Sequence, residues 1–196
     1  MVAHIIHDFS RADRMENILK QAEEQIIVIL LCPAYTKEAT PVIGCAKSHK
    51  AVVRFAQSEK YPMVLIMEDD VEFTAPGAFK HFLLNIPMGE FDIYTAGVYG
   101  DVKVKSGHKS NSEQGFDIII DRISGTHCYI VHSRFYDKFL TLPDNEHLDQ
   151  SISAAADTIY MCHPMAALQM PGYSDIAKAV VNYNNDRFVK FPTFQP

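Results

Sequence analysis

The most constraining stretch of the chain is Met63-Val64-Leu65-Ile66-Met67, five apolar residues that run directly into the acids Glu68, Asp69 and Asp70, and then Val71. A continuous apolar run of this length, ended by an abrupt polar change, reads as a strand buried on both faces inside a parallel sheet. Side chains alternate along a strand, so the spacing places Glu68 and Asp70 on one side and Asp69 on the other. Adjacent carboxylates at the carboxyl end of a central strand repel one another unless a cation sits among them. In open α/β sheets that end of the strands is where ligands bind. The competing reading is a solvated turn after a core strand.

At 196 residues the chain is long enough for one sizeable core, and a single domain over 1–196 is the expectation. An apolar fraction of 47% and a charged fraction of 21% are those of a soluble globular protein. The formal charge of −6 argues against a tight nucleic-acid binder, which normally shows a basic footprint. The first residues lack the pattern of a signal peptide, and no stretch approaches the roughly 18 apolar residues of a membrane span. Cys32, Cys45, Cys128 and Cys162 lie far apart in apolar segments, which suggests buried free thiols in a reducing cytoplasm.

Along the chain, His4 to His7 reads as a short strand. Ser10 is placed to cap a helix whose buried face is Met15, Ile18, Leu19 and Ala22. Gln25 to Cys32 is a second strand, and a polar loop containing Pro41 leads to a helix from Gly44 to about Glu59. In that helix His49 falls on the apolar face, as a core histidine satisfied by a hydrogen bond. After the central strand, Pro76-Gly77 opens a helix and Phe91 to Gly97 is a strand. Residues 101–115 are polar and carry Lys103, Lys105, His108 and Lys109, the composition of either a mobile lid or an inert insertion. Strands at 116–120, 126–132 and 158–162, with helices after Ser133 and from Leu148, complete an α/β chain with a mostly parallel, mixed central sheet. Dinucleotide and phosphate-loop glycine patterns are absent, so bound phosphates would need a metal to neutralise them.

Several motifs, in this order, resemble the family 25 glycosyltransferases, which include lipooligosaccharide and collagen galactosyltransferases. Arg11, Asp13 and Arg14 lie where that family has an arginine-rich start after its first strand. Gly44-Cys45-Ala46-Lys47-Ser48-His49 resembles its glycine-cysteine, serine-histidine helix start, and Glu68-Asp69-Asp70-Val71 its acidic motif. Gly125 before Tyr129-Ile130-Val131 is similar to its glycine-to-strand segment, and Asp149, Gln169 and Ser174-Asp175-Ile176 to its late motifs. The chain departs from the pattern at His7, where the family commonly has asparagine, and in being short, which bears on the acceptor more than on the donor.

The resemblance implies a GT-A-like sandwich of the nucleotide-diphospho-sugar transferase type. It also implies an inverting, metal-dependent hexosyl transfer from a nucleotide-diphosphate sugar, UDP-linked by family weight, to a hydroxyl-bearing acceptor. Lipooligosaccharide, a glycan assembled at the inner membrane face, is the family-weighted acceptor; a hydroxylated protein side chain or a modified nucleobase would need the same chemistry. Mn²⁺ or Mg²⁺ would stabilise the departing diphosphate. Asp70 and His163 are then the expected metal ligands, with Arg11, Arg14, Ser48, Glu68 and Asp69 binding the donor. For His163 the alternative is a surface histidine before a proline. Inversion needs one general base. Asp149, at a helix start whose amides favour a carboxylate, is the candidate, with Asp144 and Glu146 as alternates and a simple helix cap as the competing role. A nucleotidyltransferase and a non-catalytic nucleotide-sugar or glycan-binding domain remain the other readings.

Overall fold

A computed structural model describes residues 1–109, 116–185 and 187–195. In chain order the elements are β1 (Ala3–His7), α1 (Ala12–Gln25), β2 (Ile29–Pro33), α2 (Pro41–Ser58), β3 (Met63–Glu68), β4 (Val71–Phe73), α3 (Ala78–Leu84) and β5 (Ile93–Thr95). They continue with β6 (Val104–Lys109), β7 (Phe116–Ile120), β8 (Cys128–His132), a 3₁₀ turn at Ser133–Phe135, α4 (Tyr136–Leu140), α5 (Leu148–Ala155) and β9 (Ile159–His163). The last three are β10 (Ala167–Gln169), β11 (Gly172–Ser174) and β12 (Ala179–Val181).

An eight-stranded sheet runs in the order β2-β1-β3-β8-β5-β9-β7-β6. β1 pairs in parallel with β2 and β3, and β5 with β9, while β8 and β7 run the other way. This is the mostly parallel, mixed α/β sheet that the sequence indicates. The apolar run of β3 lies at its middle, with Val64, Leu65, Ile66 and Met67 all at most 1% exposed. Their side chains alternate between two cores. Val64 and Ile66 meet Val52, Val53, Phe135, Phe139 and Ile152 on the α2, α4 and α5 face. Leu65 and Met67 meet Ile18, Phe79 and Phe82 on the α1 and α3 face. Burying each such side chain contributes about 1.5–3 kcal/mol, which is why the register of β3 is firmly set.

α1 departs from its expected face. Leu19 is 57% exposed, and the inward positions are Ile18, Gln21 and Gln25. These amides, with Asn17, bind backbone rather than solvent. Gln21 Oε1 accepts from Phe73 N at 2.9 Å, Gln25 Nε2 donates to Ala75 O at 3.0 Å, and Asn17 Nδ2 donates to Val71 O at 2.9 Å. The helix therefore clamps the chain just after the acidic triplet through polar groups. Ser10 does not cap it; its hydroxyl donates to Asp8 Oδ1 at 2.8 Å, and Arg11 occupies the N-cap position.

α2 starts three residues before the expected Gly44, with Pro41 inside its first turn and Thr40 Oγ1 accepting from Ile43 N at 3.3 Å. The described flanks of the 101–115 segment are regular, since β6 pairs antiparallel with β7 at the sheet edge. Residues 110–115, the tip of the expected lid or insertion, lie outside the described residues. All four cysteines are free thiols, with Cys128 and Cys162 buried and Cys32 and Cys45 partly so.

Candidate active-site cleft

At the carboxyl ends of β1 and β3, a cleft of about 360 Å³ opens between the first turns of α1 and α2 and the β11–β12 hairpin. Among the described residues its walls hold Asp8, Glu68, Asp69, Asp70 and Asp175 but only one arginine, Arg14. This imbalance sits where open α/β sheets bind ligands.

The strand alternation ends at Glu68, because the chain turns at residues 69 and 70. Asp69 therefore does not point away from Asp70, as an extended strand would require. Arg14 Nη1 lies 2.5 Å from Asp69 Oδ1 and 3.3 Å from Asp70 Oδ2. Asp69 also meets His7 Nδ1 at 2.9 Å and accepts from Asp8 N at 3.3 Å. Its carboxylate is thus satisfied within the protein, as the anchor that ties β1 and α1 to the end of β3. His7 makes this anchor together with Arg14 and the Asp8 amide.

Glu68 and Asp70 differ. Glu68 Oε1 accepts a hydrogen bond from Thr126 Oγ1 and lies 3.2 Å from His49 Nε2; the other ring nitrogen of His49 meets the Tyr129 hydroxyl at 2.8 Å. Burial opposes its charge, but His49 and Thr126 outweigh that penalty and hold the Glu68 carboxyl below its ordinary range. Asp70 is 4% exposed. Its Oδ2 accepts from Gln169 Nε2 at 2.9 Å, while Oδ1 is buried without a hydrogen-bond partner. Burial and then the charge of Glu68 push the Asp70 carboxyl up, against the opposing pull of Arg14 and Gln169. A buried carboxylate with one lone oxygen beside a second carboxylate is a site short of positive charge.

Arg14 is in the cleft, but its guanidinium is engaged by Asp69, Asp70 and the Tyr173 carbonyl at 3.2 Å, so it balances charge and holds the hairpin. Arg11 is not among the cleft-lining residues; it forms a two-point pair with Asp13, Nε to Oδ1 at 3.0 Å and Nη2 to Oδ2 at 2.9 Å. Ser48 lines the cleft, yet its hydroxyl donates to Gly44 O at 2.7 Å and accepts from Tyr35 N at 2.8 Å. It fixes the 34–36 segment as the cleft wall.

His163 does not join Asp70. It is absent from the cleft lining and lies near His81 of α3, whose protonated form is disfavoured first by burial and then, more weakly, by His163. After β9 the chain first pairs with β4 through β10, so Gln169 is the residue that arrives beside Asp70. Asp149 stands in the first turn of α5, where its two oxygens accept from Gly125 N at 3.1 Å and Gln150 N at 2.9 Å. It does not line the cleft, although its charge reaches Cys45, which does. Of the alternates, Asp144 pairs with Lys50 Nζ at 2.5 Å and Glu146 accepts from Ser151 Oγ at 3.3 Å.

Two groups, Thr126 and Tyr99, had no sequence signal of their own. Thr126 is one polar residue in a loop. Tyr99 donates to Gln169 Oε1 at 3.0 Å and stacks on Tyr183, with ring centroids 4.4 Å apart. Gly125, at φ +86°, leaves room for that ring, since a Cβ there would stand 2.5 Å from the Tyr99 hydroxyl. Cys45 stands out in the sequence through the family motif alone. Its Sγ, a His49 nitrogen and a Glu68 oxygen lie within 4.8 Å of one another, the one such trio among the described residues. Burial and then the charges of Glu68, Asp149 and Asp70 raise the Cys45 thiol well above its ordinary value, so it stays protonated. The carboxylate oxygens of Glu68 and Asp70 are hard donors of the kind that suit Mg²⁺ or Mn²⁺.

No family model matches the sequence, and no curated protein matches it. Solved structures give weak likenesses. A197 from STIV is 10% identical over 94% of this chain and 98% of that one, with a TM-score of 0.48. A glycosyltransferase involved in glycosylation of the major capsid of PBCV-1 is 9% identical over 70% of this chain and 63% of that one, at 0.40. A chain described as mannose-1-phosphate geranyltransferase from Thermus thermophilus is 8% identical over 82% and 72%, at 0.43. No helix among the described residues is long and apolar enough to cross a membrane.

Proposed function

We propose that the chain is a metal-dependent glycosyltransferase of the family 25 type, with a GT-A-like fold, acting on a nucleotide-diphosphate sugar. The observation that carries this reading is Asp70, buried beside Glu68 with one oxygen lacking a partner in an acid-rich cleft at the strand ends. Asp70 and Glu68 would hold Mn²⁺ or Mg²⁺. Bound there, the ion would supply Lewis-acid stabilisation of a leaving diphosphate.

The chain's own residues set the stage for that chemistry. Arg14 and His7 keep Asp69 fixed, so the turn that presents Asp70 cannot relax outward. Gln169, held by Tyr99, orients the Asp70 carboxylate. The Glu68–His49–Tyr129 chain fixes Glu68 from the α2 side. The Ser48-anchored segment and the β11–β12 hairpin both line the cleft in which a donor would lie. Asp149, which stands outside the cleft lining but near enough for its charge to reach Cys45, would be the base that takes the acceptor proton in an inverting transfer. Its oxygens accept backbone amides, and that leaves a lone pair on each for the acceptor hydroxyl.

The test is hydrolysis of UDP-sugars with Mn²⁺, followed by the release of nucleoside diphosphate. The reading expects activity in the native chain, and loss of about 10²-fold or more in Asp70→Asn with the fold retained. Release of pyrophosphate from a nucleoside triphosphate and a sugar 1-phosphate, with no nucleoside diphosphate formed from UDP-sugars, would support nucleotidyl transfer, and an unchanged rate in Asp70→Asn would remove the metal assignment.

A further inference from the structure

A second cavity, of about 600 Å³, lies outside the cleft, between the edge strand β2 and helix α2. Its volume is within the roughly 300–1,000 Å³ of small-molecule sites, and its walls are apolar, as such sites usually are. Leu30, Cys32 and Ala34 form one side; Ala51, Val52 and Phe55 form the other. Leu30 and Phe55 are 45% and 42% exposed, so the groove presents apolar surface to solvent. His4 also lines it and is 3% exposed; burial disfavours its protonated form, so it adds no charge to the lining.

The charge is at one end of the groove. Glu38 there is paired with Lys47 at 2.7 Å, whereas Lys37 has no ion-pair partner among the described residues. An apolar trough with one free ammonium at its rim is complementary to an elongated apolar chain ending in an anion. Ala34, Tyr35, Thr36 and Ser48 line both cavities, so the Lys37 end adjoins the wall of the acidic cleft.

We propose that the groove between β2 and α2 binds a single-chain anionic amphiphile, with its aliphatic chain against Leu30, Val52 and Phe55 and its head group at Lys37. The apolar walls gain by being covered, at about 25 cal/mol per Å² removed from water. The acidic cleft next door repels the same anion, so Lys37 is the place for the head group. This inference does not depend on sugar transfer.

The experiment is calorimetric titration of the full chain with dodecyl phosphate below its micelle concentration. One saturable site is expected. Lys37→Glu, at an exposed position, should weaken it about tenfold. Ala51→Trp, which fills the trough, should abolish it while the melting curve stays cooperative. Asp70→Asn should leave it unchanged, which separates this site from the cleft. Absence of saturable binding would overturn the proposal, as would equal affinity for dodecyltrimethylammonium or binding undiminished in Ala51→Trp with Lys37→Glu also silent. Capture only by anionic bilayer vesicles, without binding of the monomeric probe, would also overturn it.

Discussion

The two cavities share a wall and differ in almost everything else. The cleft is smaller and acid-rich, and it lies where parallel strands end. The groove is larger and apolar, and it lies along the side of an edge strand. Strand ends release the chain from alternation, so successive residues such as Asp69 and Asp70 can converge on one arginine. Strand sides keep alternation, so β2 gives Leu30 and Cys32 to one face and Ile29 and Leu31 to the other. Polar chemistry collects at the ends of the sheet, and apolar surface stays along its flank.

The shared wall is where this contrast is easiest to break. A Cβ on Gly44 would stand 2.2 Å from the Tyr35 carbonyl oxygen, a backbone atom that can yield only if the segment moves. Gly44→Ala should therefore cost about 2–3 kcal/mol and reshape both cavities together. In a chain of this size that corresponds to a fall of about 2–4 °C in melting temperature per kcal/mol. Ser48→Ala should be milder, about 1–2 kcal/mol, because it leaves the Tyr35 amide without its acceptor. Amphiphile and Mn²⁺ titrations of either variant should both weaken; a loss at one cavity alone would show that the wall is not common to them.

The smallest effect separates the two by their histidines. His4 lines the groove and His127, stacked on Tyr99, lies behind the cleft. Burial lowers both below their ordinary value of 6.5, against weaker opposing contacts. The unfolded chain therefore takes up these protons before the folded one does. Stability is full above pH 6.5 and declines as pH falls below it. Denaturant unfolding at about pH 7.5 and about pH 5.5 should show this decline, and His127→Gln should reduce it by about 1 kcal/mol or less.

The central strand and the α/β class were legible because an apolar run of that length has few other places to go. The acidic cluster was legible for the same reason, as charge at the end of a buried strand. What escaped was carried by residues whose type misleads. The apolar pattern leaves Gln21 off the buried face of α1 and puts Gln25 at the start of the second strand, yet α1 runs through Gln25 and both amides point inward, because backbone donors and acceptors await them in β4 and just after it. β4 and β10, three residues each, are too short to show a period, so the route that brings Gln169 rather than His163 to Asp70 left no mark. Ser48 and Arg14 do line the cleft, as the motifs suggest. Their partners within the protein, Asp69 and Asp70 for Arg14 and the Tyr35 amide for Ser48, are supplied only by the fold.

The most direct measurement is calorimetric titration of Mn²⁺ into the native chain and into Asp70→Asn, both at about pH 7.5. One site is predicted in the native chain, weakened about 10²-fold or more in the variant while its melting curve stays cooperative. Equal affinity in the two proteins, or no binding to either in the presence of UDP, would contradict a cation held by Asp70.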